Sequence, residues 1–318
     1  MARCFLLAVT AAAVLAGGCT DARPGATPST SGASTTSSST PASDRCREQP
    51  TGPTSYRYAE RPGSPAERTS LDVYLPAGCG PVPVLVWVHG GGWRRGDKRA
   101  GAVQQKAAFA HGLGAALVAV NYRLSSPDND VRWPDHGEDV AAAVAWTLER
   151  GPALGLDPTR LALMGHSAGA QLVASLATHP TLLEDAGADR SAVGCTVVLD
   201  VQLDLTDRLG PSGLVDDAFG TDPGVLADAS PLVQVQTLGA PPSRFLVVTR
   251  GAARRVAGAA AFVDLVVGSG GSAELLDAGT YSHNEVSQRL GAPGEQVVTP
   301  PTDAFLRTCL GRGGTSTG

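Results

Sequence analysis

The sequence predicts an α/β protein: a doubly wound, mainly parallel sheet flanked by helices. Three observations carry this reading. Apolar runs of strand length recur along the chain, segments with helical spacing separate them, and the runs are nearly continuous in apolar character. Continuous runs suit strands covered on both faces, whereas a sheet with one wet face alternates apolar and polar side chains. Strands that take turns with helices favour parallel pairing, because parallel neighbours need a crossover between them.

The elements follow in order. "SYRYAE" (55–60) and "TSLDVYLP" (69–76) alternate clearly and predict an antiparallel opening pair. "PVPVLVWVHG" (81–90), "AALVAVNYRL" (115–124), "RLALMGHS" (160–167), "CTVVLDV" (195–201) and "RFLVVT" (244–249) are the buried strands, with "SAELLDA" (272–278) as the last. "DVAAAVAWTLERG" and "SAGAQLVASLATH" read as helices between them.

The ends lie outside this pattern. Residues 1–19 carry one basic residue, Arg3, then a short apolar run to Ala16 and small residues before Cys19. This is a secretory signal, too short to span a bilayer. Ala16, Gly17 and Gly18 before Cys19 resemble a bacterial lipoprotein cleavage box, which makes Cys19 the candidate lipidated residue, although Leu15 stands one position further back than the pattern prefers. Cleavage near Ala22 with free secretion is the alternative, and a retained anchor the third. Residues 20–45 are almost entirely small and polar and predict a flexible tether, because they offer too little apolar area to offset ordering entropy. The folded body is expected at 46–310, with 311–318 a flexible tail. The location that follows is extracytoplasmic, with membrane contact only through a lipid anchor.

A net charge of −5 gives no reason to expect nucleic acid as a partner. Oligomeric state is not legible. Cys46, Cys79, Cys195 and Cys309 form an even set in an exported, oxidising setting, with no short paired spacing of the metal-binding kind. Disulfides are therefore expected and metal is not. Of the three pairings, Cys46–Cys79 with Cys195–Cys309 is preferred.

The chemistry is concentrated in two motifs. Gly165-His166-Ser167-Ala168-Gly169 is a G-x-S-x-G run with a strand before it and a helix after it, the context that pushes a serine out at a sharp turn. The helix amino end behind Ser167 favours developing negative charge. "VWVHGGGWRRGDK" places three glycines directly after a buried strand, where backbone N–H groups can approach a substrate oxygen with no Cβ in the way. Gly91 and Gly92, with the N–H of Ala168, are the candidate oxyanion hole. No lysine and Ser/Thr follow at phosphate-loop spacing.

Together "HGGGW", "VNYRL", "GLDPTRLALMGHSAGAQLVA" and "YSHNEV" resemble the α/β-hydrolase fold esterases, among them HGGGW-type carboxylesterases, kynurenine-formamidase-like and feruloyl-esterase-like proteins. The resemblance covers roughly Tyr56 to Leu310. It implies a serine hydrolase acting on an ester or amide without a cofactor, on a small-molecule substrate. It also implies a late catalytic histidine. Of six histidines only His283 follows the last strand candidate and precedes a final helix.

The acid is less direct. In many relatives it sits in the turn after the strand "RFLVVT", near position 254, but here that turn carries Arg254 and Arg255. The preceding strand ends at the same sheet edge with Asp200, Asp204 and Asp207. Asp200 interrupts an apolar run, where a lone carboxylate is costly and an imidazole N–H would satisfy it. Asp200 is therefore the preferred acid, with Asp204, then Asp264, as alternatives, and an acid-less site as another. The arginines are left as contacts to the loop or to an anionic substrate. Asn121, Tyr122 and Arg123 are expected to brace the glycine loop, as is Asp97. Asp139 is expected to support a helix start. Trp93 and Trp133 read as packing ahead of pocket lining. The reading is a carboxylic ester hydrolase of small or aryl substrates, with an amidase or formamidase as the alternative and a non-catalytic binding protein as the third.

Overall fold

The computed structural model describes residues 52–78, 80–207 and 212–311. Cys19, Cys46 and Cys79, with the expected signal and tether, lie outside the described residues. The chain runs β1 (Thr54–Arg57), β2 (Ser70–Tyr74), β3 (Val82–Val88), α1 (Val103–Gly112), β4 (Ala116–Val120), α2 (Asp135–Arg150), β5 (Leu156–His166), α3 (Ala168–Thr178), α4 (Leu182–Asp185) and β6 (Val193–Leu199). It continues with α5 (Ser212–Phe219), α6 (Pro223–Asp228), α7 (Pro231–Leu238), β7 (Arg244–Thr249), α8 (Ala253–Gly268), β8 (Ala273–Asp277), α9 (His283–Gln288) and α10 (Thr299–Leu310).

One eight-stranded sheet takes the order β1-β2-β4-β3-β5-β6-β7-β8. β1–β2 and β2–β4 pair antiparallel, and every pair from β4 to β8 is parallel. The reason for the continuous apolar runs is visible in β3. Val84, Val86 and Val88 face one core with α2 and α3, while Leu85 and Trp87 face the other with α1 and α10. Successive side chains leave opposite faces of a strand, so a strand covered twice must be apolar at every position. In α8, Ala259, Phe262 and Val266 make the buried stripe that packs against Phe245 and Val247 of β7.

Strand boundaries differ from the sequence reading, and two of the shifts have a visible cause. β5 begins at Leu156 because Leu156 pairs with Val82 before a register shift carries the ladder on to Val84 and Leu161. β6 ends at Leu199 because Asp200 turns to φ 50°, a left-handed conformation that cannot continue a strand. Cys195 of β6 and Cys309 of α10 are disulfide-bonded with Cα atoms 6.1 Å apart, tying the last helix to the sheet.

Candidate active site

Ser167 sits between the last residue of β5 and the first of α3, at φ 54° and ψ −122°. A non-glycine residue there costs on the order of 1–3 kcal/mol and persists only when its surroundings hold it. Two glycines allow it. A Cβ on Gly165 would collide with the Gly169 backbone, and a Cβ on Gly169 with the carbonyls of Val88 and His89. The elbow is thereby pressed against the end of β3, which brings the glycine loop to the serine. Gly90 lies so near that an added Cβ would come within 2.8 Å of the His166 carbonyl and 3.0 Å of Ser167 Cβ.

His283 opens α9, whose start is fixed by a capping box between Ser282 and Glu285. His283 Nε2 is 2.8 Å from Ser167 Oγ, and His283 Nδ1 is 2.6 Å from Asp200 Oδ2. The carboxylate only accepts, so Nδ1 carries the proton and Nε2 is left to accept from the serine hydroxyl. His166 braces the histidine from behind: its Nε2–H donates to the His283 carbonyl at 2.8 Å, and the two rings lie 4.6 Å apart. Burial, aided by the adjacent His283, pushes the His166 pKa down to about 4, so it stays neutral there.

Asp200 is buried, its side chain shielded from solvent completely, at 0% exposure. Besides His283 it accepts from Arg250 Nε at 2.8 Å and Arg255 Nη1 at 2.9 Å. Burial raises a carboxyl pKa, but the bonds from His283 and Arg250 and the charge of Arg255 outweigh it and hold Asp200 at about 2. Its own φ of 50° bends the chain so that the carboxylate meets both strand ends, and its N–H donates to Val248 O of β7 at 2.8 Å.

Gly91 and Gly92 follow β3 at φ 132° and 61° and line a cleft of about 720 Å³ shared with Ser167 and His283. Ala168 contributes the first N–H of α3, a group with no intrahelical partner. The loop is anchored beneath: Tyr122 donates to His89 O at 3.1 Å, Asn121 Oδ1 accepts from Lys98 N at 2.6 Å, and Asn121 Nδ2 donates to Asp97 at 3.0 Å. Lys98 is itself buried between Asp72 and Glu67, each at 3.0 Å.

The structure thus brings Ser167, His283 and Asp200 into one chain of hydrogen bonds, with Gly91, Gly92 and Ala168 beside it. It leaves the other acid candidates elsewhere. Asp204 folds back on Thr206 N at 2.9 Å, and Asp264 is exposed on α8. The two arginines find loop and acid partners: Arg254 bonds Asp207 at 2.5 Å and Arg255 bonds Asp200. Trp93 and Trp133 are buried, donating to Gln171 at 3.2 Å and Asp228 at 2.7 Å. Two readings are corrected. Arg123 does not brace the glycine loop but pairs with Asp139 at 2.7 Å, and Asp139 lies buried inside α2 as the counter-ion of Arg123 and Arg61 rather than at its start. A helix that must pack at this point buries the carboxylate, and two guanidinium groups compensate it.

Three site residues escaped sequence reasoning. Arg250 had a signal, a cation directly after a strand next to that of Asp200. His166 had none beyond its place in the motif. Lys106 had none either: it is fully buried, with Nζ 2.6 Å from Gly101 O, 2.9 Å from Ser287 O and 4.5 Å from the Trp87 ring centre. Among the described residues, no group of three histidine, cysteine or acidic side chains could hold a metal ion.

A sheet of this order with a serine on its strand-to-helix elbow is the α/β-hydrolase fold, and its relatives place the protein among the carboxylic ester hydrolases. The chain belongs to the BD-FAE family, whose model matches residues 71–232. It is 30% identical over 249 residues to Carboxylesterase NlhH of Mycobacterium tuberculosis, covering 72% of this chain and 74% of that protein. It is 42% identical over 101 residues to the same organism's Probable carboxylic ester hydrolase LipM, covering 32% of this chain and 22% of that protein. A solved thermophilic esterase from Thermogutta terrifontis superposes with a TM-score of 0.66 at 21% identity, covering 83% of this chain and 95% of that one.

Proposed function

We propose that the protein is a serine esterase that cleaves small or aryl carboxylic esters through an acyl-enzyme. The observation that carries this reading is the hydrogen-bonded line from Ser167 Oγ through His283 to the buried Asp200. In the proposed cycle His283 Nε2 takes the hydroxyl proton as Oγ bonds the substrate carbonyl carbon. The oxyanion rests on the N–H groups of Gly91, Gly92 and Ala168. The ester C–O bond then breaks, and the proton on Nε2 passes to the departing alkoxide. Water, activated by the same nitrogen, releases the acid and restores the serine. Asp200 keeps the proton on Nδ1 and balances the imidazolium. The cleft offers an aryl group the exposed side chain of Leu214, which lines it together with Asn284 and Gln288.

The test sets an ester beside amide substrates. The reading expects p-nitrophenyl butyrate to be hydrolysed in preference to the matched anilide and formanilide. Preference for the amides would make the protein an amidase, and no turnover of either would favour a binding role.

The exported, lipid-anchored location is proposed on the sequence alone, from the apolar leader and Cys19. No helix among the described residues is long and apolar enough to cross a membrane. If Cys19→Ala protein partitions into detergent as the wild type does, attachment at Cys19 is wrong.

A further inference from the structure

The carboxylate that orients the histidine is held in an unusual way. Asp200 Oδ2 is shared by His283 Nδ1 at 2.6 Å and Arg250 Nε at 2.8 Å, while Oδ1 takes Arg255 Nη1 at 2.9 Å. Two guanidinium groups thus flank one buried negative charge. We infer that Arg250 and Arg255 are positioning residues that clamp Asp200 against His283 and set the pH at which His283 becomes available as a base. The inference rests on the esterase reading of the site.

The argument begins with charge. A lone carboxylate beside His283 favours the imidazolium and so keeps the ring protonated to higher pH. Two cations on that carboxylate cancel part of its field and add a like charge near the ring, both of which favour neutral imidazole. The cations are well placed for this. The side chains of Arg250 and Arg255 are 24% and 32% exposed, and the carboxylate between them is not exposed at all, so solvent screens the pairs only partly. The fold supplies them without distortion. Arg250 directly follows β7, the neighbour of β6, and Arg255 lies in the first turn of α8.

Other groups around His283 do not replace this effect. From β5 the ring meets His166, which burial keeps neutral, and Ser167. From α1, Lys106 reaches the Ser287 carbonyl at the far end of α9 rather than the ring. Within α9, Glu285 is paired with Arg289 at 2.6 Å and with the Ser282 N–H. Across the cleft stand Arg94, Arg95 and Asp97, with His89, which burial pushes down to about 4. Arg94 is bonded to Asp217 at 2.6 Å and Asp97 to Asn121, so Arg250 and Arg255 are the cations on the histidine's own acid.

The experiment is an NMR titration of the His283 ring in the full protein, wild type beside Arg255→Gln and Arg255→Lys, with Arg250→Gln as a second site. The inference expects the ring to titrate about one unit higher in Arg255→Gln, with the lysine variant close to wild type. The acid limb of the kcat/KM profile should move by the same amount, so that activity about one unit below neutrality falls several-fold. An unmoved His283 titration in folded Arg255→Gln and Arg250→Gln protein would overturn the inference, as would a lysine variant displaced as far as the glutamine one. Failure of the esterase reading looks different: hydrolysis that is absent, or that survives Ser167→Ala, whatever the ring titration does.

Discussion

Asp200→Asn is the substitution on which the site turns. The amide can still accept one guanidinium bond, but it cannot carry the charge that balances an imidazolium 2.6 Å away. In a triad of this kind the loss is about 10⁴-fold in kcat, close to 5 kcal/mol of transition-state stabilisation. Here the deficit is deeper, because Arg250 and Arg255 stay within 2.8 and 2.9 Å of the vacated position and now oppose the imidazolium unbalanced. The assay is kcat/KM on p-nitrophenyl butyrate at about pH 8.5 for wild type, Asp200→Asn, Arg255→Gln and the double variant, with circular dichroism to confirm folding. Arg255→Gln alone should stay within about tenfold of wild type there, since it leaves the line from Asp200 through His283 to Ser167 in place. In the asparagine background the same change should recover roughly tenfold, because it removes a repulsion instead of a clamp. Asp200→Asn protein within tenfold of wild type would refute the reasoning.

Other consequences follow from the same contacts. Reducing or replacing the Cys195–Cys309 bond, which closes a separation of 114 residues, should cost about 2–5 kcal/mol in a urea midpoint, and no shift would contradict a folding role. Lys106 is pushed down to about 7 by burial, whereas the unfolded chain keeps that proton to about 10.4. The unfolded state therefore binds more protons between those limits, and stability relative to Lys106→Met should rise with pH from about 7 to 9.5 by up to about 3 kcal/mol. A flat difference across that window would mean that the two carbonyls and the Trp87 ring hold the charge as well as water does. Gly169→Ala should lower kcat by about 10²-fold or abolish soluble expression, because its Cβ meets the Val88 and His89 carbonyls and pushes the elbow off the glycine loop. Full activity would show that the strand end can yield.

Much of this was legible in the chain because it depends on local pattern. The strands announced themselves as unbroken apolar runs, and the glycines of the elbow and loop stand where backbones must touch. Asp200 was legible for a thermodynamic reason: a carboxylate at the end of a buried strand needs a partner. What stayed hidden depends on strand order. Only the pairing of β6 with β7 brings Arg250 and Arg255 onto Asp200, so Arg255, which reads as an anomaly at the usual acid position, finds its partner on the neighbouring strand end, while Arg254 goes to Asp207. The pairing of Asp139 with Arg123 and Arg61 was equally out of reach, since it joins α2 to the segments that follow β4 and β1. His166 looked like filler in a motif, and only the approach of α9 shows its N–H on the His283 carbonyl.

The central claim is that Ser167 is the nucleophile, and a fluorophosphonate tests it most directly. The protein should take up one label, mapped by mass spectrometry to the peptide carrying Ser167, with parallel loss of p-nitrophenyl butyrate hydrolysis. Ser167→Ala protein should take up none. Labelling at another residue, or undiminished hydrolysis by Ser167→Ala, would contradict the account.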